Sequence, residues 1–435
     1  MFDTFKNAWK IEDLRKKIIF TLMILVVFRL GSAIPVPFVN PDVIGAWIAQ
    51  AGNLLGYVDM ITGGGLSRAS LFALGVQPYI NASIIIQLLA VAIPALERLS
   101  KEGEEGRRKM NRITRYVGGG LALVLSVMYY FLLRSQGAML YTTGFSGVFA
   151  AIVVVCTFTA GALLVQWLGE QIDVKGIGNG ISLLIFAGII SRWSSIFSTV
   201  KNYLGLAANG QPKYYFFLPL IAVLIVVVTV LIVILNAAER RIPVPYAKRV
   251  VGRKMYGGQS THIPIKVNMS GVMPIIFASA LTSIPGTIGA FFPALQDAAQ
   301  HPIWAGFFRV FNYNSWGYAL IYLVLIIAFN YFYVAIQYDP VEIANNLRNN
   351  NGTIPGYRPG KPTSDFITKV LGKITFVGAL FLAVVAVLPI ALSNVLGMNI
   401  SLGGTSMLIV VGVALDTSRS LESYMLMRHH KGFLE

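Results

Sequence analysis

Carboxylates, histidine and cysteine are the scarce residues in this 435-residue chain, which has 19 Asp and Glu, 4 His and 1 Cys. A lone cysteine, Cys156, excludes an internal disulfide and a thiolate metal site. His262, His301, His429 and His430 all fall in stretches that read as loops or tail, so no buried Ser-His pair can form, and there is no HExxH. The long apolar runs hold almost no acids: Glu170 and Asp416 stand only at run ends. An intramembrane aspartyl protease needs two acids at depth, and a proton- or cation-coupled carrier usually places acids or unwound polar segments there. Neither pattern is present. The string GYRPGKPT resembles a phosphate loop, but three residues separate Gly356 from Gly360 where four are required, and Pro362 stands in the Ser/Thr place. GIGNG, Gly176 to Gly180, lacks the further glycine of a dinucleotide fingerprint and reads as an entry to a helix, with Asn179 near its start. The chain therefore reads as a non-enzyme with no catalytic residues, no metal, no cofactor and no direct nucleotide binding.

What is abundant is apolar sequence. Hydrophobic residues make up 55% and charged residues only 12%, half the charged fraction of an ordinary soluble domain. This is the composition of an integral membrane protein. A helical span needs about 20 mostly apolar residues to cross the hydrocarbon. Ten stretches are read as spans: Ile18 to Val36, Gly75 to Ile93, Tyr116 to Leu133, Gly147 to Leu168, Ile181 to Thr199, Tyr215 to Leu235, Met269 to Phe291, Trp316 to Ile336, Ile374 to Ser393 and Leu402 to Leu415. The tenth is short. It is counted on parity and on the basic tail that follows. The run from Ile18 is too long for a signal-peptide core and lacks a cleavage site, so it is expected to remain as a span.

A net charge of +16 would suit a nucleic-acid binder if it were clustered on one soluble face. Its distribution says otherwise. Most Lys and Arg lie in Met1 to Lys17, around Arg98 to Arg115, at Lys175, in Arg240 to Lys266 and Arg348 to Lys373, and in the tail from Arg419. The opposite side holds Arg68, Arg134, Arg192, Lys201, Lys213 and Arg309, and Arg29 lies within the first span. The positive-inside rule puts both termini and the large basic loops in the cytoplasm. Phe2, Phe5 and Trp9, beside Lys6, Lys10 and Lys16, suit a short interfacial helix over residues 1–17.

One nonapeptide occurs twice, as GVQPYINAS from Gly75 to Ser83 and as GVMPIIFAS from Gly271 to Ser279. Each copy opens the second span of a set of five. Five is odd, so the two sets would be inverted, an arrangement used by many membrane conduits. The expected divisions are residues 18–200 and 201–420, with cytoplasmic loops 237–267 and 338–373 and a tail over 421–435. Ile80 and Ile84 share a helix face, as do Ile181 and Ile185. Such pairs suit core packing, or a constriction that seals by dewetting. Between the first two spans, Pro37 to Leu74 is long and partly apolar. Gly63, Gly64 and Gly65 give a flexible start, and Leu66, Leu71, Phe72 and Leu74 suit a short apolar helix. It is read either as a re-entrant piece inside the bundle or as a helix on the outer surface.

Several long strings resemble the SecY family, the channel-forming subunits of the bacterial protein-translocation complex. They are KNAWKIEDLRKKIIFTL, GGGLSRASLFALGVQPYINASIIIQLL, SKEGEEGRRKMNRITRY, GIGNGISLLIFAGII, YAKRVVGRKMYGGQSTHIPIKVNMSGVMPIIFAS, NNLRNNNGTIPGYRPGKPT and GGTSMLIVV, in order along essentially the whole chain. The resemblance implies an all-α polytopic fold of ten transmembrane helices, in two inverted five-helix halves around an hourglass pore in the bacterial plasma membrane. It implies a pore ring at Ile80, Ile84, Ile181, Ile185, Met273 and Ile409, Met273 standing where an aliphatic residue is often found. It implies a plug over Gly63, Gly64, Gly65, Leu66, Ser67, Arg68, Ala69, Ser70, Leu71 and Phe72. A lateral gate between spans two and seven, with Pro78, Ser83, Gln87, Pro274 and Phe277, would release signal sequences and membrane helices into lipid. Arg249, Arg253, Lys254 and Arg358 would dock the motor ATPase SecA or the ribosome, and SecE and SecG are the expected companion subunits. The function implied is a passive conduit for unfolded polypeptide. Two other classes fit parts of the pattern: a secondary transporter of small solutes, which would use the same inverted halves but needs coupling acids, and a membrane scaffold, which has no need of the basic loops or a re-entrant segment.

Overall fold

The computed structural model describes residues 8–50, 59, 62–191, 193–209, 212–245, 249–251, 254–256, 260–291, 301–312, 315–350, 352–396 and 404–431. Helix α1, Glu12–Gly31, starts ahead of the expected first span and stops short of its end. Ser32 ends it by donating its hydroxyl to the Phe28 carbonyl at 2.9 Å, and Pro35 and Pro37 follow in sequence that cannot continue a helix. Phe2, Phe5 and Lys6 of the expected interfacial helix lie outside the described residues, and Trp9 is exposed. Helix α2, Pro41–Gln50, is introduced by Asn40, whose side chain accepts from the Asp42 amide at 3.1 Å.

Helix α3, Gln77–Ala92, meets α4, Pro94–Lys101, at a bend of 108°. The cause is local. Pro94 has no amide to donate and forces Ile93 into extended geometry, with φ −108 and ψ 113. Gly103, at φ +74, then reverses the chain into α5, Gly103–Ser135. The basic stretch from Arg98 to Arg115, expected as a loop, is therefore mostly helix: α5 begins well before Tyr116. The i,i+4 pairs Glu104 with Arg108 and Glu105 with Lys109 line its exposed first turns.

Helix α6 is Gly144–Lys175, and the expected fifth span is two helices, α7, Gly180–Ser191, and α8, Trp193–Ala208. Helix α8 runs across the division expected at residue 200. Helix α9, Lys213–Ala237, presents Val223, Val226, Val230 and Ile234 at helical spacing on its exposed surface, as a lipid-facing stripe does.

Residues 237–267 depart from an all-α reading. Strands β1, Glu239–Pro245, and β4, Ser260–Lys266, pair antiparallel from Glu239 opposite Lys266 to Pro245 opposite Ser260; β2, Arg249–Val251, and β3, Lys254–Tyr256, pair beyond them. Pro243, Pro245 and Pro264 forbid a regular helix here. Alternation along β1 buries Ile242 and Val244.

Helices α10, Met273–Phe291, α11, Pro302–Val310, α12, Trp316–Gln337, α13, Pro340–Asn349, α14, Lys361–Leu396, and α15, Gly404–Lys431, complete the described elements. Helix α15 passes straight through Asp416, where the tenth span was expected to end, and includes most of the expected tail. Among the described residues, five helices are long and apolar enough to cross a membrane, namely α5, α6, α9, α12 continued by α13, and α14; the bent pair α3–α4 makes a sixth if taken as one span. Helices α7 and α10 are apolar but shorter.

One apolar core runs through the bundle. It joins Ile24 and Phe28 of α1 to side chains of α3, α6, α7, α9, α10, α12, α14 and α15. At one end, Ala8, Leu14 and Ile18 pack with Ile177 and Leu421, and the Lys17 ammonium sits 4.3 Å over the Tyr424 ring, so the two terminal segments meet. The same end carries the β1–β4 hairpin, because Arg419 of α15 donates to the carbonyl of Asn236 at the close of α9.

Contact between α6 and α7 is close enough to require glycine: a Cβ on Gly180 would lie 2.0 Å from the Gly169 carbonyl oxygen. We expect Gly180→Ala to destabilise the fold by at least about 1–3 kcal/mol, read as a lower Tm in detergent. Gly205→Ala, which meets open space on α8, is expected to leave Tm unchanged or raise it.

Candidate functional site

The two copies of the repeated nonapeptide fold alike at their starts. Gly75 at φ +51 and Gly271 at φ +63 both take the left-handed conformation that glycine tolerates. Val76 and Val272 then accept from Ile80 and Ile276 amides at 3.0 and 3.3 Å, and Pro78 and Pro274 stand at the second helical position of α3 and α10. Proline suits that place because its missing N–H would have no partner inside the helix. The echo is thus a helix-start signature used twice. The helices it starts pack against each other.

Helix α7 is positioned from its N-terminus. The Asp173 carboxylate accepts from the Gly180 amide at 2.7 Å and Asn179 Oδ1 accepts from the Ser182 amide at 3.0 Å, satisfying amides the first turn leaves free. This cap fixes the rotation of α7. Consequently Ile185 is buried and Ile181 partly buried against the central core. All six expected ring residues come together there: Ile80, Ile84, Ile185 and Ile409 as buried members, and Ile181 and Met273 as partly buried neighbours. Four helices, α3, α7, α10 and α15, supply them. Ile276 also belongs, and it is more deeply placed than Met273. Sequence reasoning passed over it although the echo aligns it with Ile80.

Residues expected to form a plug meet this core through Phe72, which is 1% exposed and stacks on Phe28 with centroids 5.9 Å apart and planes 8° from parallel. Gly31 makes room for the ring, since a Cβ there would fall 2.0 Å from Phe72 Cε2. The segment is not the short helix expected from Leu66, Leu71, Phe72 and Leu74. It is a succession of turns from Thr62 to Val76. Its backbone closes turns within itself, such as Ser70 N to Gly65 O at 2.9 Å, and also binds outside itself: Val36 N to Ala69 O at 2.9 Å, Leu71 N to Ile34 O at 2.9 Å, and Tyr129 Oη donating to Leu66 O at 2.7 Å. Asp59 accepts from the Ser67 amide through its side chain at 2.7 Å and from the Gly64 amide through its carbonyl at 2.7 Å. Leu66, Ala69 and Ala73 fill a second core with Tyr129, Leu133 and Phe158. The segment is inside the bundle, not on its surface. Arg68 alone of its residues 62–70 is exposed.

Pro78, Ser83, Gln87, Pro274 and Phe277, the expected lateral gate, fall on α3 and α10. Gln87 Nε2 donates to Ser83 Oγ at 3.1 Å within α3. Phe277 is buried and meets Phe329 and Tyr333 of α12 edge-on, at 6.0 and 6.2 Å. Its ring is thus committed to α12. Glu170 of α6 is also engaged: it takes two bonds from Arg115 of α5, with Arg115 Nε to Glu170 Oε1 at 3.0 Å, and Gln166 adds another at 3.2 Å.

Of the expected docking residues, Arg249 and Lys254 lie on β2 and β3, and Arg253 lies outside the described residues. Arg358 is exposed on a turn between Gly356 at φ +86 and Gly360 at φ +101, its carbonyl tied to Thr363 Oγ1 at 2.8 Å. The two loops share a base. The Thr353 amide donates to Pro245 O at 3.3 Å, and Ile354 packs in one cluster with Ile242, Val244, Ile367 and Leu371.

Comparison with known proteins agrees with this architecture. The SecY family model matches residues 70–418. Protein translocase subunit SecY of Thermotoga maritima is 43% identical over 445 residues, covering 100% of this chain and 98% of its own. That of Thermus thermophilus is 43% identical over 440 residues with the same coverage. Among solved structures, a protein-conducting channel superposes with TM-score 0.63 at 20% identity over 94% of this chain and 92% of its own. Sec61 in a canine ribosome-channel complex gives 0.60 at 20% identity, again over 94% and 92%. These structures share the fold. With the family model spanning most of its length and full-length relatives this similar, the chain belongs to the SecY family.

Proposed function

We propose that this chain is the channel-forming subunit of a protein translocase, a conduit for unfolded polypeptide across the bacterial plasma membrane. One observation carries the reading: Ile80, Ile84, Ile181, Ile185, Met273 and Ile409 converge from four helices on one apolar core that is continuous with Phe72. A ring of such side chains suits a substrate whose side chains vary but whose backbone width does not. It grips without specific chemistry and excludes water around the passing chain. Met273, unbranched and flexible, suits varied cargo.

In the reading we favour, the ten expected spans form two inverted halves of five with both termini cytoplasmic. Residues 63–72 plug the idle channel, and α3 and α10 part sideways to pass signal sequences and membrane helices into lipid. The direct contact of these two helices and their matched starts support that gate. Arg249, Arg253, Lys254 and Arg358 belong to two loops joined at their base, which supports one shared docking platform for SecA or a ribosome. SecE and SecG are the companion subunits, and the work comes from SecA-bound ATP or from translation. A coupled transporter of small solutes fits less well, because Glu170 is bound to Arg115 and Asp173 caps α7.

Photocrosslinking from Ile84 to a precursor halted in mid-passage is expected to give a strong adduct, with little from Ile225 on α9. No adduct at Ile84 while the precursor still crosses would place the path elsewhere. Ile84→Asn or Ile409→Asn leaves an amide without a partner in the closed core at a cost of about 1–3 kcal/mol. Either is expected to raise export of precursors with defective signal sequences roughly tenfold or more; unchanged stringency would count against the ring. Gly31→Val drives Phe72 off its seat, so idle ion leakage through reconstituted bilayers should rise. Gly120→Ala, which meets open space on α5, is the silent comparison.

A further inference from the structure

Arg29 is a lone cation in an apolar run, a placement that calls for a partner and marks function in membrane proteins. Its Nη1 donates to the Gly63 carbonyl at 2.7 Å and to Ser191 Oγ at 3.1 Å. Ser191 in turn donates to Gly188 O at 2.7 Å and stands 3.5 Å from the Gly63 oxygen. Three elements therefore meet at one guanidinium: the last turn of α1, the start of the plug segment, and the last residue of α7. Gly63 is held at φ +71, and a Cβ on it would lie 3.2 Å from Ser191 Oγ and 3.3 Å from Gly188 Cα. Both the turn and the close approach require glycine there. The carbonyl ends of two helices add partial negative charge that favours a cation at this place.

Phe28 sits one residue before Arg29. Helix α1 thus holds the segment twice, by an aromatic stack on Phe72 and by a charged bond on Gly63.

We propose that Arg29, with Ser191, is the latch that sets how readily the plug leaves the channel. The proposal deepens the channel reading and rests on it. The α1–α7 pair supplies a fixed donor, the plug supplies the acceptor, and displacement breaks the bond while the guanidinium stays on α1. In the opened channel that cation faces the vacated passage. Water or backbone carbonyls of the moving chain then replace Gly63. A bond to a charged donor is among the stronger ones available, and stronger still where water is scarce.

The test is idle ion conductance of the complete translocase in liposomes, together with export of precursors carrying defective signal sequences. Arg29→Gln is expected to raise both by about tenfold. Arg29→Lys keeps the charge but is shorter and lacks the planar guanidinium that aims Nη1 at both acceptors, and is expected to fall between Gln and wild type. Such partial rescue is not expected of a residue that merely fills space. Ser191→Ala should give a rise of roughly threefold, and the double variant Arg29→Gln with Ser191→Ala should be no worse than Arg29→Gln alone. Deletion of Gly64 to Leu71 is the comparison. If the deletion leaks and Arg29→Gln does not, the plug stands and the latch is overturned. If neither leaks, the plug reading falls and takes the latch with it. Should Arg29→Gln fail to accumulate, Ser191→Ala decides: wild-type leakage would overturn the latch.

Discussion

Inside hydrocarbon, every backbone N–H and C=O that leaves a helix must find another partner, because each orphan costs several kcal/mol. Residues 62–76, mostly buried in the bundle without forming a helix, face the same constraint. Their turns free a series of polar groups within the bundle; some bond one another, as the Ser70 amide does to Gly65 O, and others are met by Ile34 and Val36 on the strand-like exit of α1, by Tyr129, by Asp59 and by Arg29. Such a segment is held by individual bonds, one ring stack and the packing of Leu66, Ala69 and Ala73, not by a continuous ladder. Under the plug reading proposed above, such bonds can be broken singly, which a helix of the same length, with all its bonds internal, would allow less readily.

The apolar core into which Phe72 reaches depends on close helix contact, and close contact depends on glycine and on caps. Gly161 lets the Leu71 carbonyl approach α6, where a Cβ would come within 1.9 Å, and Gly180 does the same for α6 against α7. Asp173 and Asn179 then fix where α7 begins. Moving that start by one residue would rotate Ile181 and Ile185 by about 100° and carry them off the core. Polar residues outside the core thus decide which apolar residues face it.

Composition and the run of apolar stretches were enough to read a polytopic, mostly helical membrane protein, and the residues expected to form a ring lie on helices that reach one apolar core. The duplicated glycine is legible because only φ above zero demands it at Gly75 and Gly271. Other features were hidden for physical reasons. Helix ends were misjudged at Gly103 and in the tail because charged residues are good helix formers once a helix leaves the membrane, so polarity is a poor stop signal. The hairpin of residues 239–266 is short and proline-bearing, with burial from contact with Ile354 and Ile367 far along the chain. The segment expected to form a plug has the composition of an apolar helix. Glycines at φ +71 and +83 and bonds to distant residues turn it aside.

The order of residues settled what is intrinsic to short stretches: the apolar runs that make this a membrane protein, helix starts from Gly-Val-x-Pro, and the 108° break that Pro94 imposes. It could not settle which carbonyl Arg29 binds, which ring Phe28 stacks on, that Ile276 outranks Met273 in burial, or that Thr353 ties one basic loop to the other at Pro245. Those depend on distances between elements far apart in the chain, fixed by packing of the whole bundle. Periodicity shows the face a residue is on, and only the assembled fold supplies what lies opposite.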